Sequence, residues 1–203
     1  MTRLAIATHN AHKVGEIWAI LAPLVDGLSR ADVASAGDLG APAPVEDGVT
    51  FEANALIKAR ALAASSGLPA IADDSGIAVD VLGGAPGIFS ARWAGSHGDD
   101  AANLQLLLDQ VADVPDEHRG AAFVCAAALA LPSGEEHVVV GRMPGVLLRE
   151  PRGEGGFGYD PIFMGQGQTV SNAELDPDTK NALSHRGAAF RSLAPIVAEA
   201  LGA

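Results

Sequence analysis

Short apolar runs, polar turns and stretches of helical periodicity follow one another along the chain. Near the start, LAIAT (4–8) is apolar and gives way at once to polar residues, as a buried strand does. Val14, Ile17, Trp18, Leu21 and Leu24 then recur at helical spacing, with Asn10 placed to cap the helix. The Pro-, Gly- and Asp-rich stretch RADVASAGDLGAPAPVEDGVT (30–50) reads as a weak strand plus loop. From Thr50 to about Ala64 the pattern predicts a second helix, ended by Gly67 and Pro69. PAIAD (69–73) and GIAVDVL (76–82) predict two strands flanking an acidic junction, with Ser75-Gly76 available to turn the chain.

GGAPGIFSARWAGSHG (83–98) is a glycine-dense loop. Asp99 or Asp100 can then cap a third helix, with Leu104, Leu107, Leu108 and Val111 on one face. The run from Gly120 to Leu148 predicts an antiparallel meander whose first turn is Pro132-Ser133-Gly134. A second glycine loop, RGEGGFGYDPIF (152–163), precedes two closing helices. The last of these begins near Ser184 and carries Phe190, Leu193, Val197 and Leu201 on one stripe. Strands alternate with helices and no repeat is present. The expected fold class is therefore mixed α/β, a single domain over residues 1–203 with two lobes around a central cleft.

Composition narrows the function. The 203 residues are 48% hydrophobic and 19% charged, a globular composition and not a disordered one. A formal net charge of −12 argues against a nucleic-acid or anionic-membrane surface, since nothing basic would neutralise phosphates along a strand. A small phosphorylated ligand is still compatible with it, held by a few local cations and a divalent metal. Cys125, the one cysteine, lies inside the apolar run AAFVCAAALAL and reads as a buried thiol. The N-terminus turns polar too early for a secretory signal, and no run is long enough to span a bilayer. The expected location is the cytoplasm.

Five constellations carry candidate chemistry. The turn THNAHK (8–13) joins polar side chains, the free N–H groups of a helix start and Lys13, which together suit an anion. It lacks the glycines and Lys-Ser/Thr pair of a Walker loop, and Asn10 as a simple cap is the ordinary alternative. Glu46, Glu52, Asp73 and Asp74 form an acidic set of the kind that Mg2+ uses, or else ordinary surface acids. Asn54 and Lys58 lie four apart on one helix face, pointing into a site or into water. In GGFGYDP (155–161), glycines flank Phe157 and Tyr159, which can stack on a flat base or fill a core, and Asp160 supplies an acceptor. Lys180, His185 and Arg186 give three donors close to a helix start. No zinc spacing of Cys and His and no nucleophile elbow appears.

Taken together, THNAHK, FEANALIKA, ADDSGIAVDVLGGAPGIFSARWAG, GGFGYDPIF and SHRG resemble the inosine triphosphate pyrophosphatase family, in order and spacing, from Leu4 to about Arg191. That resemblance implies a long mixed sheet flanked by helices, a Mg2+ requirement and a homodimer. It implies Mg-dependent hydrolysis of non-canonical purine nucleoside triphosphates (ITP, dITP, XTP) to the monophosphate and pyrophosphate, with water attacking the α-phosphorus. Carried over residue by residue, Asp74 and Lys58 are catalytic, and Asp74 and Glu46 hold the metal. Thr8, His9, Asn10, Ala11, His12 and Lys13 form the phosphate turn, with Ser75 beside the substrate. Phe157, Gly158, Tyr159 and Asp160 form one wall of the base site, and Lys180, His185 and Arg186 the other. Magnesium and triphosphate are then the expected positive partners and ligands of the Asp73-Asp74 pair. Two departures stand out: His9 occupies a position where the family often has glycine, and the loop around Glu46 matches only loosely. A less selective NTP pyrophosphatase, a metal-dependent nucleotide-sugar transferase and a non-catalytic nucleotide-binding module are the rival readings.

Overall fold

A computed structural model describes residues 2–202, apart from the side chains of Ala11 and His12. Six strands form one mixed sheet in the order β2-β1-β3-β4-β5-β6. They are β1 (Leu4–Ile6), β2 (Val33–Ser35), β3 (Ala70–Val79), β4 (Gly120–Ala130), β5 (Glu136–Leu147) and β6 (Phe163–Gly165). Five helices accompany them: α1 (Ala11–Leu21), α2 (Phe51–Ser66), α3 (Asp100–Gln110), α4 (Pro177–Leu183) and α5 (His185–Leu201). β1 pairs in parallel with β2 and β3, and β6 runs antiparallel to β5. The chain divides into two compact units: residues 1–74, 125–141 and 186–203 form the first, residues 75–124 and 142–185 the second.

In the first unit, side-chain alternation along the strands separates two cores. Ile71 of β3 joins Leu4, Ile6 and the apolar faces of α1 (Val14, Ile17, Leu21) and α5 (Phe190, Leu193, Val197). Ala70 and Ala72, pointing the other way, join Ala55, Ala59, Leu62 and Ala63 of α2. Small residues on both sides let α2 lie close to the sheet. The predicted second helix appears with both ends sealed: the Thr50 hydroxyl accepts a hydrogen bond from the Ala53 N–H, and Gly67 closes the far end in the left-handed region. In the second unit, Leu107 and Val111 at the end of α3 pack with Ile77, Phe123, Ile162 and Phe163.

Three expectations change. The acidic junction is no turn: β3 runs unbroken through Asp73, Asp74, Ser75 and Gly76. The two predicted strands are one strand, because the carboxylates find partners on its two faces and the backbone has no need to bend. Gly76 fits the same continuity, since a Cβ there would run into Ser90 and the Gly87 carbonyl. The first helix ends at Leu21, so Leu24 lies beyond it and is exposed. Finally, β6 was not expected, being a three-residue strand that exists only through its pairing with β5.

Candidate active site

The first unit gathers its polar side chains around β3. Asp73 and Asp74, adjacent in sequence, point to opposite faces and meet different partners. Asp73 is buried at 4% exposure and lies on the face of α1 and α5. Its carboxylate accepts from Lys13 Nζ at 3.2 Å, and from Arg186 Nε and Nη2 at 3.2 and 3.1 Å. The third Arg186 nitrogen, Nη1, donates to Glu16 at 2.7 Å. Burial works against the Arg186 charge, but the carboxylates of Asp73 and Glu16 outweigh it and hold its pKa above the ordinary value. The protein itself, not metal and substrate, therefore supplies Asp73 with its cations, which corrects the expectation for that residue.

Asp74 lies on the α2 face, where Asn54 Nδ2 donates to its Oδ2 at 3.2 Å and Lys58 Nζ to its Oδ1 at 3.3 Å. The same ammonium donates to Glu46 at 2.9 Å. Asp74 and Glu46 thus converge on one cation from a strand and a loop separated by the whole of α2. Burial raises the Asp74 pKa above its ordinary value and is only partly opposed by Lys58 and Asn54. For Lys58, burial pulls downward, yet Asp74 and Glu46 prevail and its pKa is raised. Glu52, the other candidate acid, sits in the first turn of α2.

In the turn THNAHK, the Asn10 N–H donates to Thr8 Oγ1 at 3.1 Å, and the His9 imidazole donates from Nε2 to the Ala41 carbonyl at 2.9 Å. The side chain in the place of the family glycine is thereby tied to the loop that follows β2. The side chains of Ala11 and His12 lie outside the described residues.

The second unit builds a cluster around Asp160, buried at 4% exposure. Asp160 Oδ2 accepts from Lys180 Nζ at 2.6 Å and from the Phe157 N–H at 2.9 Å, while Oδ1 accepts from Asn172 Nδ2 at 3.3 Å. Lys180 Nζ stands 4.8 Å from the centroid of the Phe157 ring, and that ring is 56% exposed. Gly156 makes the tight turn possible: it adopts φ +73°, and a Cβ would collide with the Asp160 carboxylate. The Gly158 N–H donates to Asp100 at 3.0 Å. Tyr159 faces the core and donates to the Ser90 carbonyl at 2.8 Å, and its burial raises the phenol pKa. His185 stacks on Phe123, ring centroids 5.0 Å apart and 13° from parallel. Ser75 follows Asp74 directly along β3.

Thr8, His9, Asn10, Lys13, Glu46, Lys58, Asp74 and Arg186 thus belong to the first unit, and Ser75, Phe157, Gly158, Tyr159, Asp160, Lys180 and His185 to the second. Sequence reasoning did not assign Glu16 and Asn172, the partners of Arg186 and Asp160. Glu16 stands 170 positions from Arg186, and no local signal connects residues so far apart. Asn54 was visible as a polar residue sharing the face of Lys58, but its bond to Asp74 was not.

Among the described residues, no three His, Cys, Asp or Glu side chains are grouped to hold an ion by themselves. Asp74 and Glu46 nevertheless suit a divalent cation that takes the rest of its ligands from water and phosphate, as Mg2+ does. With Lys58 they form a group with one more negative than positive charge, and beside it the buried Oδ1 of Asn54 has no hydrogen-bond partner.

Comparison with known proteins adds an independent line. Residues 4–196 match the Ham1 family. A dITP/XTP pyrophosphatase of Streptomyces coelicolor is 60% identical, with all of both chains covered, and one of Mycobacterium bovis is 52% identical over 97% of this chain and 96% of its own. Among solved structures, a HAM1 protein from Coxiella burnetii superposes with a TM-score of 0.88 at 39% identity, covering 98% of this chain and all of that one. A nucleoside-triphosphatase/dITP/XTP pyrophosphatase from Mycobacterium abscessus superposes at 0.78 with 48% identity, covering 97% and 99% of the two chains.

Proposed function

The chain belongs to the Ham1 family, and on that premise we propose that it is a dITP/XTP pyrophosphatase. It hydrolyses non-canonical purine nucleoside triphosphates to the monophosphate and pyrophosphate. The observation that carries the reading is the convergence of Asp74 and Glu46 on Lys58, in a chain whose full length matches relatives named for this activity.

In the proposed reaction, water adds to the α-phosphorus and the bond to the α,β-bridging oxygen breaks, so that pyrophosphate leaves with the bridging oxygen. Asp74 and Glu46 would hold Mg2+, which when bound neutralises charge on the phosphates. Asp74 orients the attacking water and favours its deprotonation. Lys58, kept protonated by its two carboxylates, offsets the charge that gathers on the phosphates. Lys13 and the N–H groups of the turn from Thr8 to Lys13 receive the leaving pyrophosphate. Asp73 serves as the fixed anchor of Lys13 and Arg186.

Base choice falls to Phe157, Tyr159, Asp160, Lys180, His185 and Arg186. A base stacks on the exposed Phe157 ring, worth roughly 1–3 kcal/mol for any base. Donors from His185 and Arg186 reward the 6-carbonyl of hypoxanthine and xanthine over the 6-amino group of adenine. A hydrogen bond to a charged donor lost in that way costs about 1.5–3 kcal/mol, or roughly 10- to 150-fold. We further propose that both units form one catalytic domain, and that the enzyme works as a homodimer in the cytoplasm.

The test is product analysis with dITP, ITP, XTP, ATP, GTP and dGTP, with and without Mg2+, for the wild type and Asp74→Asn. The expected result is monophosphate plus pyrophosphate, mainly from the inosine and xanthine nucleotides, and loss of turnover in a folded Asp74→Asn. Orthophosphate as product, or near-normal turnover in the variant, would overturn the mechanism. Nucleotide binding without turnover in the wild type would leave a binding module.

A further inference from the structure

The bond from Asn54 to Asp74 stands apart from the phosphate, metal and base contacts just described. Asn54 lies one turn into α2 at 2% exposure, next to Ala55, which packs against the sheet. An amide in that setting forgoes the helix preference of alanine and must be desolvated. Its Nδ2 donates to Asp74 Oδ2, while Lys58, one helical turn on, donates to Oδ1. With each carboxylate oxygen gripped by a different residue of one rigid helix, the carboxylate plane cannot rotate.

The choice of a neutral donor has an electrostatic consequence. A second cation at position 54 would balance Asp74, Glu46 and Lys58 and remove the excess negative charge that a divalent ion needs. Asparagine orients the carboxylate and leaves its charge intact. A merely structural asparagine would also satisfy both ends of its amide. Here the end toward Asp74 is bonded, whereas Oδ1 is buried without a partner. The loop bearing Glu46 lies against this residue, since a Cβ on Gly48 would come within 2.6 Å of Asn54 Oδ1. The clearance at Gly48 lets both components of the site, loop and carboxylate, sit on the same amide.

We propose that Asn54 is a positioning residue for the reaction, aiming the Asp74 carboxylate through its Nδ2–H without neutralising it. The inference rests on the function proposed above. The experiment compares Asn54→Leu, similar in volume but without the donor, and Asn54→Ala, which suits an alanine-rich helix, with the wild-type chain. Steady-state kinetics with dITP and Mg2+, Mn2+ binding by electron paramagnetic resonance without nucleotide, and Tm are measured for each. Loss of an outer-shell partner of a metal-bound carboxylate typically costs 10–100-fold. The expected result is kcat lower by about that factor at nearly constant KM, and Mn2+ binding weakened about 10-fold, in whichever variants fold. A kcat and Mn2+ affinity within twofold of wild type in a folded variant, with only Tm moved, would overturn the proposal. If the wild type does not turn over dITP, the functional reading fails, and Mn2+ affinity still decides the positioning role.

Discussion

Asp73 and Asp74 show how far one residue step along a strand changes chemistry. Asp73 faces α1 and α5 with two cations bonded to it, whereas Asp74 faces α2 with one cation, shared with Glu46. In the metal-free protein Asp74 titrates above the ordinary aspartate value of 3.8, because burial opposes its charge more than Lys58 and Asn54 support it. The sign follows from linkage. A carboxyl whose folded pKa is raised holds its proton more tightly in the folded state. Ionised Asp74 therefore subtracts stability progressively as pH rises above 3.8, and the deficit is complete above the folded value. Lys58→Met removes the main attraction and should move the Asp74 titration further up. Carboxyl-carbon NMR of the metal-free protein from acid to neutral pH checks this, and an Asp74 titration at or below wild type in the variant would contradict it.

At the scale of elements, α2 presents Asn54 and Lys58 to Asp74 on one face and an alanine surface to the sheet. Its N-terminal end depends on Thr50, whose hydroxyl caps the Ala53 N–H at 3.1 Å. Thr50→Ala should cost about 1 kcal/mol. In a chain of this size, that lowers Tm by roughly 2–4 °C. Because Asn54 and Lys58 lie inside the helix, kcat for dITP should change little, and a tenfold loss would mean that the cap also places the site. Most of this element was legible in sequence, because its start at Thr50 and its end at Gly67 are both set by local chemistry. The strand through the acidic junction was not: two carboxylates beside Ser-Gly look like a turn until their partners on three helices are known.

For the whole molecule, net charge and local charge point in opposite directions. A chain of formal charge −12 fixes Lys13, Lys58, Lys180 and Arg186 among its carboxylates, and the proposed function asks these few cations to meet the anionic substrate. Among the described residues, no helix is long and apolar enough to cross a membrane. A ligand that binds only the folded state stabilises it by about 2.7 kcal/mol at 100 times its Kd. Saturating dITP with Mg2+ should therefore raise the Tm of the inactive Asp74→Asn variant or, if that variant loses the metal, a non-hydrolysable dITP analogue should raise that of the wild type. ATP at the same concentration should raise it less. Equal shifts for both nucleotides would favour the less selective pyrophosphatase.

Sequence alone carries the mixed α/β class, the principal helices and the residue types available for phosphate, metal and base. Periodicity, capping and glycine chemistry are local, so they survive in one dimension. Tertiary structure decided which charges belong together. Strand alternation sent neighbouring carboxylates to opposite faces. Helix packing then brought Arg186 and Lys13 to Asp73, Asn54 and Lys58 to Asp74, and Lys180 and Asn172 to Asp160. These pairings join positions up to 113 residues apart, and Arg186 reaches Glu16 across 170. Their energy comes from attraction at short distance in a low-dielectric interior, conditions that exist only once the chain is packed.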